Sequence, residues 1–485
     1  MTESLGRDVA QPQPRLDAHG IEATSTSGHD HTFRRNSLLV LFSTVVVGIG
    51  NYGLSLALVW FLGARQFSIV SSISALLLVV GTTVSACFQW VVARQVARFP
   101  RESFARREAV SFSLLAAVVA GLAAAIVVVL VASTYAGPGV LAEIGLTTFC
   151  LFIASVGSGF LQGEKRFVLF ASGAIVEVLL KLGIGTGLAA SGFGATGAVA
   201  GSAVGAVMWA ILALVVIRKD LRKPTWKVDP ELWQQLAGIG TIQIMVSIAT
   251  TLDVIVGSVV DGSSRHLAGY QAMLVFARIP LFTSTAISAV AYPRLVVAGR
   301  ERDRLIGETA SLYMLVSAIS VAVAATIPER LLRVVLPSGY AANEHLLLPL
   351  TIAGFGAGLL NLATTFFQAE GIFRWPLRTL GVAIPIMIAV DIFAAPAVAN
   401  LAWATAIFEI SLGTVMLLFG MSHFSDSGLG VRVLKPGVLM AALCVVLRLL
   451  SPNVALWLTS SLVVAGVALG AARWGSELRA HAGSR

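Results

Sequence analysis

Ala109-Val-Ser-Phe-Ser-Leu-Leu-Ala-Ala-Val-Val-Ala-Gly-Leu-Ala-Ala-Ala-Ile-Val-Val-Val-Leu-Val-Ala-Ser-Thr134 runs for 26 residues without a charged side chain. As a helix rising 1.5 Å per residue it is about 39 Å long, more than the roughly 30 Å of hydrocarbon in a bilayer. Directly before it stand Arg94, Arg98, Arg101, Arg106 and Arg107. The rest of the chain has the same character. Over 485 residues, 56% are hydrophobic and only 12% charged, with mean hydropathy +0.85. A soluble surface carries about 25% charged residues, so most of this chain meets lipid or other apolar helices, and soluble enzyme classes are excluded.

Working outward, apolar runs recur from Asn36 to the end, each closed by a polar or Gly/Pro-containing break. Fourteen spans are expected: 38–62, 68–93, 109–134, 144–162, 168–190, 195–217, 236–260, 267–292, 309–328, 346–368, 378–396, 400–421, 436–450 and 454–473. The fold class is therefore an all-α polytopic membrane protein. Residues 1–36 are rich in Gln, Pro, His, Ser, Thr and Asp with no apolar period, and read as a disordered tail. The first span is long enough to cross a bilayer and has no small-residue cleavage site before it, so it reads as a span and not a cleavable signal. Cys87, Cys150 and Cys444 all lie inside apolar runs without CxxC spacing, which points to buried residues and not to a disulfide framework or a zinc site.

Basic loop residues resist translocation, so the Lys and Arg positions set the orientation. With the N-terminus inside, cytoplasmic segments collect 27 of the 34 basic residues, Arg218, Lys219, Arg222, Lys223 and Lys227 among them. External loops hold only Arg65, Arg265, Arg330 and Arg333. The net charge of +9 is thus a consequence of topology, with some attraction to anionic lipid, and no nucleic-acid partner is expected. Both termini are placed in the cytoplasm.

Sliding the chain on itself by 200 residues lays Phe67-Ser68-Ile69-Val70 through Arg94 over Leu267-Ala268-Gly269-Tyr270 through Arg294. At an offset of 206, Phe160-Leu-Gln162-Gly-Glu164 echoes Phe366-Phe-Gln368-Ala-Glu370. Six spans per repeat is an even number, so both halves enter the membrane the same way, with a pseudo-two-fold axis along its normal. The expected organisation is a tail (1–36), an N-terminal six-helix lobe (37–217), a linker (218–235) and a C-terminal six-helix lobe (236–421). Two additional helices (436–473) and a tail (474–485) follow.

Several segments together resemble a known family. They are Leu62-Gly63-Ala-Arg-Gln-Phe67-Ser-Ile-Val70, Leu161-Gln162-Gly163, Leu252-Asp253, Gly269-Tyr270, Phe276-Ala-Arg278-Ile-Pro280 and Tyr292-Pro293. Over residues 36–473 the chain resembles the Wzx-type polysaccharide flippases, the O-antigen or teichoic-acid type exporters of the multidrug/oligosaccharidyl-lipid/polysaccharide (MOP) flippase superfamily. That superfamily also holds the multidrug and toxic compound extrusion exporters and the lipid II flippases. The resemblance implies a fourteen-helix, two-lobed flippase of the bacterial cytoplasmic membrane. It would move an undecaprenyl-diphosphate-linked or similar polyprenyl-linked oligosaccharide outward, driven by an ion gradient, for cell-surface polysaccharide biosynthesis. No cofactor is implied beyond a coupling proton or sodium ion. The implied partners are the lipid-linked oligosaccharide, membrane lipids, and the glycosyltransferases or polymerase of the same pathway. The long N-terminal tail departs from the pattern.

Seven charged residues fall within spans: Glu177, Lys181, Asp253, Arg278, Asp391, Glu409 and Arg448. A charge at mid-bilayer costs about 2.5–3.5 kcal/mol or more, so each is expected to face the bundle interior, a partner or water. Arg278 lies near mid-span, and its guanidinium fork suits a diphosphate; the competing reading is an ion pair with Asp253 on the preceding helix. Glu177 and Lys181 are spaced to neutralise each other, or else Lys181 adds positive charge to a cavity that Glu177 tunes. Arg278 and Lys181 are the candidate diphosphate ligands. Asp253, Glu409, Asp391 and Glu177 are the candidate ion-coupling groups, because a buried carboxylate can take up a proton or sodium ion. Arg448 is expected to snorkel toward the Ser451-Pro452 break.

Other motifs fail their context. Gly48-Ile-Gly50-Asn-Tyr-Gly53 and Gly192-Phe-Gly194-Ala-Thr-Gly197 lie in or beside spans and not in a strand-turn-helix unit, so neither binds a dinucleotide. No P-loop is present. Gly197, Gly201 and Gly205, spaced by four, point to close helix packing. Pro280, Pro349 and Pro385 are candidate kinks, and His29-Asp30-His31 reads as solvated tail. Three alternatives to the flippase remain: a multidrug exporter with an acid-dominated cavity, a membrane-embedded polymerase or glycosyltransferase, and a non-transporting scaffold.

Overall fold

In the computed structural model, which describes residues 46–221, 230–262, 264–297, 301–423 and 442–464 with positions 43, 440 and 466, no strand occurs among the described residues. The first half holds α1 (Val46–Phe61), α2 (Ala64–Arg98), α3 (Phe104–Ala132), α4 (Pro138–Gly163), α5 (Phe167–Leu188) and α6 (Gly194–Ile217). The second begins with α7 (Pro230–Ala249), α8 (Leu252–Asp261), α9 (Arg265–Ala277) and α10 (Ile279–Val297). It continues with α11 (Arg302–Ala325), α12 (Glu329–Val335), α13 (Leu347–Glu370), α14 (Arg374–Ala394) and α15 (Val398–His423). Helices α16 (442–450) and α17 (Val454–Val464) follow.

Eight of these helical runs are long and apolar enough to cross a membrane, or up to ten if each bent pair is one span. The chain is thus an all-α, multi-pass membrane protein. Fourteen spans are not counted. The expected spans 38–62, 436–450 and 454–473 lie partly outside the described residues, and one of the eight runs, Phe167–Asp220, contains both α5 and α6. The expected tails at 1–36 and 474–485 lie outside them too, as do residues 222–229 of the linker.

Small residues set the packing, because without a hydrophobic drive between helices in lipid, close backbone approach is what holds them together. The turn between α5 and α6 uses Gly192 at φ +92° and Gly194 at φ +60°, where a side chain would be strained. The two helices then run antiparallel, with Gly197 against Leu188, Gly201 against Gly185 and the Lys181 carbonyl, and Gly205 against Glu177. The four-residue glycine spacing is a packing seam, as its period indicates. In both halves the fourth span packs most extensively on the sixth: α4 on α6 through Gly157, and α13 on α15 through Gly356 and Gly413.

Two of the expected spans are bent, one of them beside the candidate kink Pro280. Residues 236–260 are broken by 54° between α7 and α8, at Thr250 and Thr251, and 267–292 by 41° between α9 and α10, at Arg278. Pro280 accounts for the second, since it sits at the second position of α10 and cannot donate to the turn before it. Pro349 makes no kink. It lies in the first turn of α13, where the backbone N–H has no helical partner in any case. Pro385 lies inside α14, which continues through it.

The end of the bundle that carries Arg94, Arg98, Arg101, Arg106 and Arg107 is called the basic end below. There Arg106, 3% exposed, pairs with Glu164 at 2.6 Å and Asp220 at 3.3 Å and lies over the Phe160 ring. Arg101 joins Glu164 at 2.7 Å. Burial alone pushes the Glu164 carboxyl up, but hydrogen bonds and charge from Arg106 and Arg101 hold it below its ordinary range. The second half repeats the device. Glu370, the residue aligned with Glu164, pairs with Arg302 at 2.8 Å. At the opposite end α16 and α17 dock on α11, where Leu447 and Trp457 pack on Ala322 and Trp457 Nε1 donates to Thr326 Oγ1 at 3.0 Å.

Candidate functional site

A cavity of about 1400 Å³ separates the two halves. Its walls come from α1, α2, α4, α5 and α6 on one side and α7 to α10 and α13 on the other, and it runs from mid-span to Trp90, Arg94, Tyr292 and Gln368 at the basic end. The opposite end is sealed between the halves. Trp60 Nε1 donates to the Val335 carbonyl at 2.8 Å, and the Phe67 and Tyr340 rings meet edge to face at 5.8 Å. Gln271 Nε2 donates to Ser72 Oγ at 3.0 Å, and Ser72 is hydrogen-bonded to Ser258. The cavity therefore extends toward the basic end and is closed toward the other.

Arg278 is positioned by both helix breaks. Its own N–H closes α9 on the Leu274 carbonyl, and the next residue starts α10 in a new direction. The other break leaves Thr250 between α7 and α8, and Arg278 Nη2 reaches its carbonyl at 3.5 Å. Asp253 Oδ1 is 4.0 Å from Nη2, an ion pair without hydrogen-bond contact. The guanidinium lines the cavity and its side chain is 17% exposed. Lys181 also lines it, paired with Glu177 one turn away at 2.6 Å. Arg94, which sequence reasoning treated only as a topology signal, is the third lining cation. Glu177 is the sole carboxylate among the lining residues.

The remaining candidates are gathered elsewhere. Asp253, Asp391 and Glu409, at 2%, 0% and 3% exposure, do not line the cavity but lie within electrostatic reach of one another inside the second half. Asp253, in the first turn of α8 where the helix dipole favours negative charge, accepts a hydrogen bond from Tyr270 Oη at 2.6 Å. Neither Asp391 oxygen meets a hydrogen-bond donor among the described residues, nor does Asp253 Oδ1. No three acidic, His or Cys groups among the described residues come together as a metal cluster. Glu177 is not brought to these acids. Arg448 is 61% exposed, within 3.8 Å of Glu344. Cys87 and Cys150 are buried and Cys444 half-buried, all as free thiols.

Sequence reasoning missed Tyr270 as the partner of Asp253, and the amides Asn361 and Gln368 in the wall. Both Tyr270 and Gln368 stood in quoted motifs, but periodicity assigns a face and not a contact.

No family model matches the chain, and no curated protein matches it in sequence. Solved structures do. The lipid II flippase MurJ in an inward closed conformation superposes with TM-score 0.69 at 14% identity, covering 91% of this chain and 99% of that one. An inward-facing multidrug resistance MATE family transporter of the MOP superfamily gives 0.59 at 14% identity, covering 77% and 94%. A MOP superfamily transporter from Pyrococcus furiosus, described by a reversed polarity of its binding pocket, gives 0.52 at 16% identity, covering 81% and 95%. At these identities the likeness establishes the fold, that of MOP superfamily transporters.

Proposed function

We propose that the protein is a secondary-transport flippase of the Wzx type. It carries a polyprenyl-diphosphate-linked oligosaccharide from the cytoplasmic to the outer leaflet of the bacterial cytoplasmic membrane by alternating access, serving cell-surface polysaccharide biosynthesis. The basic end is the cytoplasmic one, because basic loops resist translocation. The observation that carries the reading is the sign of the lining: Arg94, Lys181 and Arg278 against Glu177, with the other buried acids withdrawn behind the wall. A diphosphate entering from the basic end meets paired guanidinium donors whose charge persists at any physiological pH. Asp253 and Asp391, with Tyr270 beside them, are the proposed coupling site for a proton or sodium ion. A cation there competes with Arg278 for Asp253, which ties ion uptake to the state of the cargo site.

A multidrug exporter of the same fold is the second reading, favoured by the apolar lining residues Leu54, Leu77 and Leu78. Proteoliposomes separate the two. With a fluorescent polyprenyl-diphosphate-oligosaccharide, an ion gradient is expected to accelerate loss of inner-leaflet sugar to membrane-impermeant periodate added outside, and Arg278→Ala to return the rate to that of protein-free vesicles. Full transport by that variant, or gradient-driven movement of ethidium in place of the lipid, rejects the proposal.

A further inference from the structure

The cavity changes character along its length. At mid-span its wall is charged, with Glu177, Lys181 and Arg278. From there to the basic end the second half contributes uncharged hydrogen-bonding groups: Thr285 and Ser288 on α10, and Asn361, Thr365 and Gln368 on α13. This stretch ends at Tyr292, fourteen residues beyond Arg278 and so about 21 Å along the helix.

Two features of the wall are ordered. Asn361 Nδ2 donates to Ser284 Oγ at 3.1 Å, and Ser284 Oγ donates to the Gly358 carbonyl at 2.6 Å. That chain fixes the amide plane, and among the described residues no side chain or backbone group donates to the Asn361 side-chain oxygen. Trp90, from the first half, stacks on Tyr292 from the second, with centroids 6.1 Å apart and planes at 22°. Trp90 remains 46% exposed and lines the cavity.

A pyranose matches both features. Each hydroxyl is at once donor and acceptor, which amides satisfy in either sense, and the face of C–H bonds carries a slight positive charge that lies well on the negative face of an aromatic ring. We infer that Trp90, Tyr292, Asn361 and Gln368 form a glycan-binding subsite between Arg278 and the basic end, holding sugar rings of the occupant. The inference rests on the reading of the cargo as a diphosphate-linked oligosaccharide with its diphosphate at Arg278. Because Trp90 belongs to one half and the other three residues to the other, the subsite exists only while the cavity faces the basic end. Alternating access closes the halves on one another at the basic end as the opposite end opens, which removes the room for the sugar there and expels it.

The test uses the full chain in lipid nanodiscs. Its probes are undecaprenyl diphosphate and the same lipid carrying a single N-acetylglucosamine, glucose, galactose or mannose, with affinities measured by calorimetry. At least one glycosylated probe is expected to bind about tenfold more tightly than the bare diphosphate, the scale of one or two added hydrogen bonds. Tyr292→Ala and Asn361→Leu are expected to bring that ratio to about one, while Tyr292→Phe, which keeps the ring, preserves it. Equal affinities for bare and glycosylated probes in the unsubstituted protein overturn the subsite, with no variant required. An unchanged ratio in both Tyr292→Ala and Asn361→Leu does the same. If no probe binds, the bare diphosphate included, the diphosphate reading itself fails and the subsite falls with it.

Discussion

The two halves share a topology and differ in chemistry. In the first, the charged pair facing the cavity lies on one helix, and Glu177 and Lys181 neutralise each other within a turn. In the second, Asp253, Arg278, Asp391 and Glu409 come from α8, the junction of α9 and α10, α14 and α15, and no pair among them makes a close ion pair. The first half is continuous through its second span apart from a π-helical turn at Ser85–Gln89, whereas the second half breaks twice. Such breaks are tolerated in a membrane only where protein or a cavity receives the freed backbone groups, and here Arg278 reaches the Thr250 carbonyl. The first lobe is thus the more regular wall, and the second brings its buried charges together from four places in the chain.

That contrast can be broken most directly at Arg278. Arg278→Ala is expected to lower transport about 100-fold, matching the ~3 kcal/mol of a charge-assisted contact, with normal membrane insertion. The proteoliposome assay reads it, and an equal loss from Ala substitution of first-half residues alone would reverse the assignment. Asp391→Asn comes next. It should remove the response to an ion gradient, a coupling of about tenfold, while binding of undecaprenyl diphosphate persists. Comparing rates with and without the gradient decides this.

The more regular wall makes its own prediction. Gly201→Leu places a side chain where even a Cβ would lie 2.6 Å from the Gly185 nitrogen, and should cost roughly 1–3 kcal/mol of stability, visible as a lower Tm in detergent. Lys181→Met should weaken diphosphate binding less than tenfold, since Glu177 already shares that charge, and the double variant with Glu177→Gln should recover stability without recovering affinity.

The smallest effect is at the basic end. Because Glu164 is held below its ordinary pKa, its pairs with Arg106 and Arg101 contribute stability above the unfolded-state pKa, and that stability is lost as pH falls through the folded value. Thermal unfolding of the wild-type protein and Glu164→Gln should therefore differ at neutral pH and converge in acid.

Most of the spans and the α5–α6 glycine seam were legible in the chain itself, because lipid penalises every unpaired charge and backbone group and so writes strong constraints into composition. The breaks were only half legible. Pro280 announced the second, while the break at Thr250 and Thr251 carries no proline and is defined by contact with Arg278, a residue 28 positions on in the chain. Arg94 and Arg106 look alike as members of one basic cluster, yet one lines the cavity and the other is buried against Glu164 and Asp220.

The sequence by itself determined a multi-pass helical membrane protein, the signs of its rare buried charges and the repeat that relates its halves, since hydropathy and spacing are properties of the chain. Only tertiary structure decided which charges face the cavity. Asp253, Asp391 and Glu409 lie within apolar runs just as Arg278 does, and nothing in the spacing says which of the four faces the cavity. What separates them is whether a neighbouring helix covers the face on which each side chain lies, and helix rotation is set by packing across the whole bundle.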